Sequence, residues 1–139
     1  MSIKFSDIME AFDFVSFGQM SEHLAYLDTT TGKIYWHSEF GDNDEELPDD
    51  INDEQYIEIP HKNELDLGKP LVFDFVAEHL SEKADEVDNI FRRKGAYGRY
   101  KDLLEKNDLL DKWYEYETKA QQKALREWCK LNQIQIQDE

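Results

Sequence analysis

The stretch FRRKGAYGRYKDLLEKNDLLDKWYEYETKAQQKALREWCKLN, Phe91 to Asn132, carries the longest helical pattern in the chain. It also holds two of the three tryptophans and 11 of the 16 basic residues. Leu109, Trp113, Tyr116, Ala120, Ala124, Trp128 and Leu131 recur at intervals of three and four, a stripe along one side of a helix. Asn107 or Asp108 is the expected cap at its start, and Asn132 its end. A shorter helix precedes it, from Ala96 to about Lys106, with Tyr97, Tyr100, Leu103 and Leu104 at helical spacing.

Upstream, Pro70 suits a first helical position and opens a helix over Leu71 to Leu80, in which Val72, Phe75, Val76 and His79 share a face. Ser81 is the expected cap of a helix reaching about Ile90, with Val87, Ile90 and Phe91 as its apolar side. These segments predict a helical part, 70–132, with about four helices.

Residues 1–69 read differently. Ser6 to Phe17 predicts a helix: Asp7 and Glu10 have capping-box spacing, Ile8, Phe12 and Val15 repeat at helical intervals, and Gly18 stops the pattern. Leu24 to Asp28 and Lys33 to Trp36 are rich in β-formers. They flank Thr29-Thr30-Thr31-Gly32, where Gly32 supplies the positive φ of a hairpin loop. Alternation sends Leu24 and Tyr26 to one side and Ala25 and Leu27 to the other. Tyr56 to Ile59 predicts a third strand, and Pro60, which has no ladder donor, marks an edge. Ile134 and Ile136 suggest a short final strand. The fold class expected is α+β, with an N-terminal helix, an antiparallel sheet of about three strands and the C-terminal bundle, in one domain, 1–139.

The chain has 139 residues, enough to bury roughly two-thirds of its unfolded surface without metal or disulfide support. A single cysteine, Cys129, excludes an internal disulfide and fits a reducing compartment. The first residues lack the apolar run of a signal peptide, and no stretch approaches the ~20 apolar residues of a membrane span. A cytoplasmic location and no membrane partner are therefore expected.

The formal net charge is −16, and it is unevenly spread. Residues 1–90 hold 23 acids and 5 bases, net −18, and residues 91–139 hold 9 acids and 11 bases, net +2. From Glu39 to Glu54 there are nine acids and no base, which predicts a solvated, mobile loop. Within it Asp42, Asp44, Glu45, Glu46, Asp49, Asp50, Asp53 and Glu54 form an acidic surface suited to docking a basic partner or to imitating the charge of a nucleic-acid backbone. Asp42-Asn43-Asp44 has the start of a calcium loop, but Leu47 stands where such a loop needs glycine. The densest basic cluster, Arg92, Arg93, Lys94, Arg99 and Lys101, is interleaved with Tyr97 and Tyr100 and contains no acid. Guanidiniums bind phosphate or carboxylate through paired donors, a helix start after Gly95 favours an anion, and tyrosines can stack on bases. Against these stands the plainer possibility that the cluster pairs internally with the acidic part and that the tyrosines are core.

The text Tyr26-Leu27-Asp28 with Thr31-Gly32-Lys33, the segment Gly95-Ala96-Tyr97-Gly98-Arg99-Tyr100-Lys101-Asp102, and Leu110-Asp111-Lys112-Trp113-Tyr114 followed by Trp128 resemble a bacterial group, uncharacterised protein family 0158. That family's central motif reads roughly Arg-Gly-Ala-Phe-x-Arg-Phe-Lys-Asp, then a tryptophan-tyrosine pair and an alanine-rich helix. The likeness runs in order over nearly the whole chain. Lys94 stands in place of arginine, and Tyr97 and Tyr100 in place of phenylalanine. The resemblance implies a small bacterial protein with no established activity.

No catalytic constellation is readable, no cofactor motif is present, and His23, His37, His61 and His79 have no metal-ligand spacing. The hairpin can place His23 and His37 facing each other, which would allow a zinc pair, with a polar cross-strand contact the simpler expectation. Trp113, Tyr116 and Trp128 are expected in the core, Cys129 in the core or at its boundary, and Tyr97 and Tyr114 on a partner surface. The expected function is a non-enzymatic interaction protein docking a protein partner through its acidic N-terminal part or through Arg92 to Lys101. The alternative is binding of RNA or a phosphorylated ligand by that basic segment.

Overall fold

The structure is a computed structural model that describes residues 2–17, 22–38 and 47–137. In chain order the elements are β1 (Ser2–Lys4), α1 (Phe5–Ser16), β2 (His23–Asp28), β3 (Ile34–Ser38), β4 (Tyr56–Glu58), α2 (Lys69–His79), α3 (Ala84–Ile90), α4 (Ala96–Lys106), α5 (Leu110–Leu131) and β5 (Gln135–Gln137). The fold is α+β, as the alternation of patterns implies. The chain forms two compact units, Met1–Leu65 with Gln122–Glu139, and Asp66–Gln121. The division falls close to the sequence boundary at 69/70 on one side. On the other, the chain's last residues join the N-terminal ones.

In the first unit the expected hairpin forms, with β2 and β3 antiparallel. Tyr26 faces Tyr35 and Leu27 faces Ile34, Gly32 has φ 82°, and the Gly32 N–H donates to the Asp28 carbonyl over 2.7 Å. β4 pairs antiparallel to the other side of β2, giving the order β3-β2-β4, so Pro60 follows an edge strand. Ala25 and Leu27 are buried and Leu24 and Tyr26 half-buried, as alternation requires. His23 pairs with Ser38 and His37 with Leu24. The two histidines are thus one residue out of step and on opposite faces of the ladder, which rules out their facing each other.

α1 buries Phe5, Ile8, Ala11, Phe12 and Val15. Its N-cap is Lys4, and no side chain caps it, so the Asp7–Glu10 spacing is not a capping box. Gly18, the expected stop, lies outside the described residues. A second, two-stranded sheet was not foreseen. β1 pairs in parallel with β5, with Ile3 opposite Ile136, and the Gln137 amide donates to the Ser2 hydroxyl over 2.5 Å.

In the second unit α2 buries Leu71, Val72, Phe75 and Val76. Leu80 and Val87 follow, then Phe91, Tyr100, Leu103, Leu104 and Trp113. The rings form a T-shaped chain: Phe75–Trp113 at 5.3 Å, Tyr100–Trp113 at 5.2 Å and Phe91–Tyr100 at 5.6 Å. Such geometry sets the positive ring edge against a negative face. Ser81 opens a 3-10 turn, Ser81–Lys83, rather than capping α3, whose N-cap is Lys83. Asn107 closes α4 instead of opening α5, because its side-chain amide donates to the Leu103 carbonyl over 2.8 Å. Asp108, at φ 57°, makes the turn.

The stripe read along α5 changes side. Trp113 is buried as expected, but farther on the buried residues are Leu125 and Cys129, while Leu131 is 83% exposed. At ~100° per residue Leu125 lies about 120° around the helix from Trp113. The half that belongs with the first unit therefore buries its own face, and Trp128 is only half-buried.

Candidate functional site

α3 and α4 meet at the turn Phe91–Gly95. Asp85 and Glu86 sit in the first turn of α3, and Arg92 and Arg93 follow its last, an arrangement that complements the helix dipole at both ends. The backbone N–H of Arg92 donates to the Asn89 carbonyl, and that of Arg93 to the Ile90 carbonyl, each over 3.3 Å, which fixes where both guanidiniums start. Gly95, at φ 73°, is the N-cap of α4 and has no side chain to close the helix start. A residue with a Cβ is disfavoured there.

A groove of about 540 Å³ opens at this junction, lined by Glu86, Asn89, Ile90, Arg92, Arg93 and Arg99. Arg92 Nη2 donates to Asp88 Oδ2 over 2.9 Å, one helical turn back on the surface. Among the described residues Arg93, Lys94 and Arg99 make no ion pair, and all three are exposed.

The remaining members of the basic segment are placed differently. Tyr100 is wholly buried and offers no face to a ligand. Tyr97 is half-buried, its ring edge-on to Phe91 at 5.0 Å and 89°. Lys101 lies over the Tyr114 ring at 5.4 Å, a cation–π contact, with Tyr114 42% exposed. Lys94 lies on the turn but does not line the groove. Glu86 and Asn89 are not singled out by the sequence, and Ile90 only as part of an apolar helix face. Their spacing with Arg93, at 86, 89, 90 and 93, is the helical signal that marks them as one face.

Of the acidic surface, Asp42, Asp44, Glu45 and Glu46 lie outside the described residues. Asp49, Asp50, Asp53 and Glu54 are exposed and sit in successive turns closed by Ile51 N–H to the Pro48 carbonyl, Asp53 N–H to Asp50 and Tyr56 N–H to Asp53. These turns are tied to the hairpin: the Thr29 N–H and hydroxyl both donate to the Gln55 carbonyl, at 2.8 and 2.7 Å. The Tyr56 hydroxyl donates to Asp50 Oδ1 over 3.2 Å. This part of the predicted mobile loop is held by hydrogen bonds.

Cys129 is buried, and burial pushes its thiol up to about 11, far from the reactive range. Among the described residues no three His, Cys, Asp or Glu side chains are grouped to hold a metal ion, and no helix is long and apolar enough to cross a membrane. Neither the curated proteins nor the solved structures contain a match to the chain. The family match, by contrast, extends over residues 1–139, and the chain belongs to the uncharacterised protein family UPF0158.

Proposed function

We propose that this protein is a non-enzymatic interaction module of the bacterial cytoplasm that docks a protein partner on the α3–α4 groove. The observation that carries the reading is the exposure of Arg93, Lys94 and Arg99 without ion pairs among the described residues, in a chain of net charge −16. With acids in such excess, leaving these cations unpaired keeps them available to an outside anion. The groove's guanidiniums, amide, carboxylate and isoleucine suit recognition, because none of them is a nucleophile with an adjacent base. The partner surface expected is rich in carboxylate or other anionic groups.

RNA is the second reading, favoured by the same arginines and by the open start of α4. Burial of Tyr100 removes one of its two stacking tyrosines, and the overall charge repels a long polyanion. The exposed acids Asp49, Asp50, Asp53 and Glu54 would serve a basic partner instead.

Affinity capture from a bacterial lysate separates these readings. A protein recovered at low salt, resistant to nuclease and lost when Arg92, Arg93 and Arg99 are all changed to Ala supports docking at the groove. Recovery abolished by nuclease assigns the groove to nucleic acid. Recovery unchanged by the triple variant moves the interaction elsewhere, the acidic turns being the next surface to mutate.

A further inference from the structure

Arg92, Arg93 and Arg99 concentrate three guanidiniums on one short groove. Each is a planar fork whose N–H donors match two acceptor oxygens. A single carboxylate has only two oxygens and one charge, too few to engage three forks. A phosphomonoester has three terminal oxygens and ≈ −1.5 to −2 charge near neutral pH.

The form of the groove discriminates among phosphates. It is built from two neighbouring elements and carries Glu86 on the α3 wall. A nucleic-acid strand spreads single charges along its length, would meet that carboxylate, and would bring many more charges toward a protein of net −16. One dianion on an otherwise uncharged chain segment meets the guanidiniums at contact distance, with long-range repulsion screened beyond about 8 Å at physiological salt. Asn89 and Ile90 supply an amide and an apolar contact for residues flanking the phosphate. We propose that the groove receives a phosphorylated side chain displayed by a protein partner, a narrowing that rests on the docking role proposed above.

The full chain is titrated, under NMR observation, with a peptide of glycine, alanine and serine bearing one central phosphoserine. Parallel titrations use the same peptide with glutamate at that place, free O-phosphoserine and a short single-stranded RNA. The phosphopeptide is expected to bind about tenfold or more tighter than the glutamate peptide. Shifts should be confined to Asn89 through Arg99, Arg93→Ala or Arg99→Ala should remove most of the affinity, and Arg93→Lys should restore part of it. Affinity should fall from pH 7.5 to 5.5 as the phosphate takes up its second proton, pKa about 6. Equal binding of the phosphoserine and glutamate peptides at the groove overturns the phosphate inference and leaves acidic docking standing. Free O-phosphoserine binding as tightly as the peptide overturns the protein-borne source. RNA binding tighter than either peptide, or no binding of any probe at the groove, overturns both.

Discussion

Asp88 and Arg92 face each other across one turn of surface, with 2.9 Å between Oδ2 and Nη2, so Arg92 is held in a pair while, among the described residues, Arg93 and Arg99 are not. Asp88 competes with any anion that enters the groove. Asp88→Ala should tighten phosphopeptide binding by about two- to fivefold, the scale of a solvent-exposed pair. Melting should barely change. Calorimetric titration of the variant beside wild type checks both, and unchanged affinity would show that Arg92 takes no part.

Two glycines of the basic segment should respond in opposite directions to the same substitution. Gly95 needs its positive φ, so Gly95→Ala should destabilise by about 1 kcal/mol or more. Gly98 is inside α4, and nothing lies within 4 Å of where a Cβ would stand. Gly98→Ala should stabilise by about 0.5–1 kcal/mol through helix propensity. Chemical denaturation of both variants tests the pair of signs.

The Tyr100 hydroxyl and the Trp113 indole N–H are buried and have no hydrogen-bond partner among the described residues. A buried hydroxyl in that condition costs about 1–3 kcal/mol, so Tyr100→Phe should leave stability unchanged or raise it. Trp113→Ala should cost about 3–5 kcal/mol by emptying the core. A large loss on Tyr100→Phe would mean that the hydroxyl is bonded in solution.

Burial, then the charge of Glu117, raises the pKa of Tyr97 and Tyr100 above the ordinary tyrosine value of 10, and burial with Asp74 and Glu78 raises that of Tyr116. The folded state therefore favours the protonated phenols. Their contribution is complete below pH ~10 and is lost as pH rises through the folded values. Denaturation midpoints should fall steeply above pH 10, and less so in Tyr100→Phe.

Glu58 has its carboxyl raised, first by burial and then by the charge of Glu64. A raised carboxylate is favourable when protonated and is lost as pH rises through its folded value. Glu58→Gln should raise the melting temperature at pH 7 and have little effect near pH 4, which thermal scans at the two pH values would reveal.

Legibility followed the range of the contacts. The hairpin, α2, α4 and the body of α5 announce themselves because turn glycines, proline and helical spacing act over a few residues. β1 was invisible, since Ser2-Ile3-Lys4 has one apolar residue and its partner, Ile136, stands at the other end of the chain. The stripe on α5 was misread for a related reason. Ala120, Ala124 and Trp128 keep helical spacing, but burial beyond Gln121 follows Leu125 and Cys129, a choice made by the elements that cover them. Caps failed where competing partners existed, as with Asn107 and the Leu103 carbonyl. At the groove the arginines were legible as a charge cluster. That Arg92 pairs with Asp88 while Arg93 and Arg99 make no ion pair among the described residues was not, because such pairing depends on where the acids come to lie.

The parallel pairing of β1 with β5 sets an order on biosynthesis. Residues 66–121 form one uninterrupted compact unit and can close as soon as they clear the ribosome. The unit containing Met1–Leu65 cannot, because Ile3 waits for Ile136. During translation the amino-terminal residues therefore stay incomplete while everything between the two strands is made. The nascent chain is most vulnerable to proteolysis and misassembly at its oldest end, whose small parallel sheet closes only once residues 135–137 are free to pair.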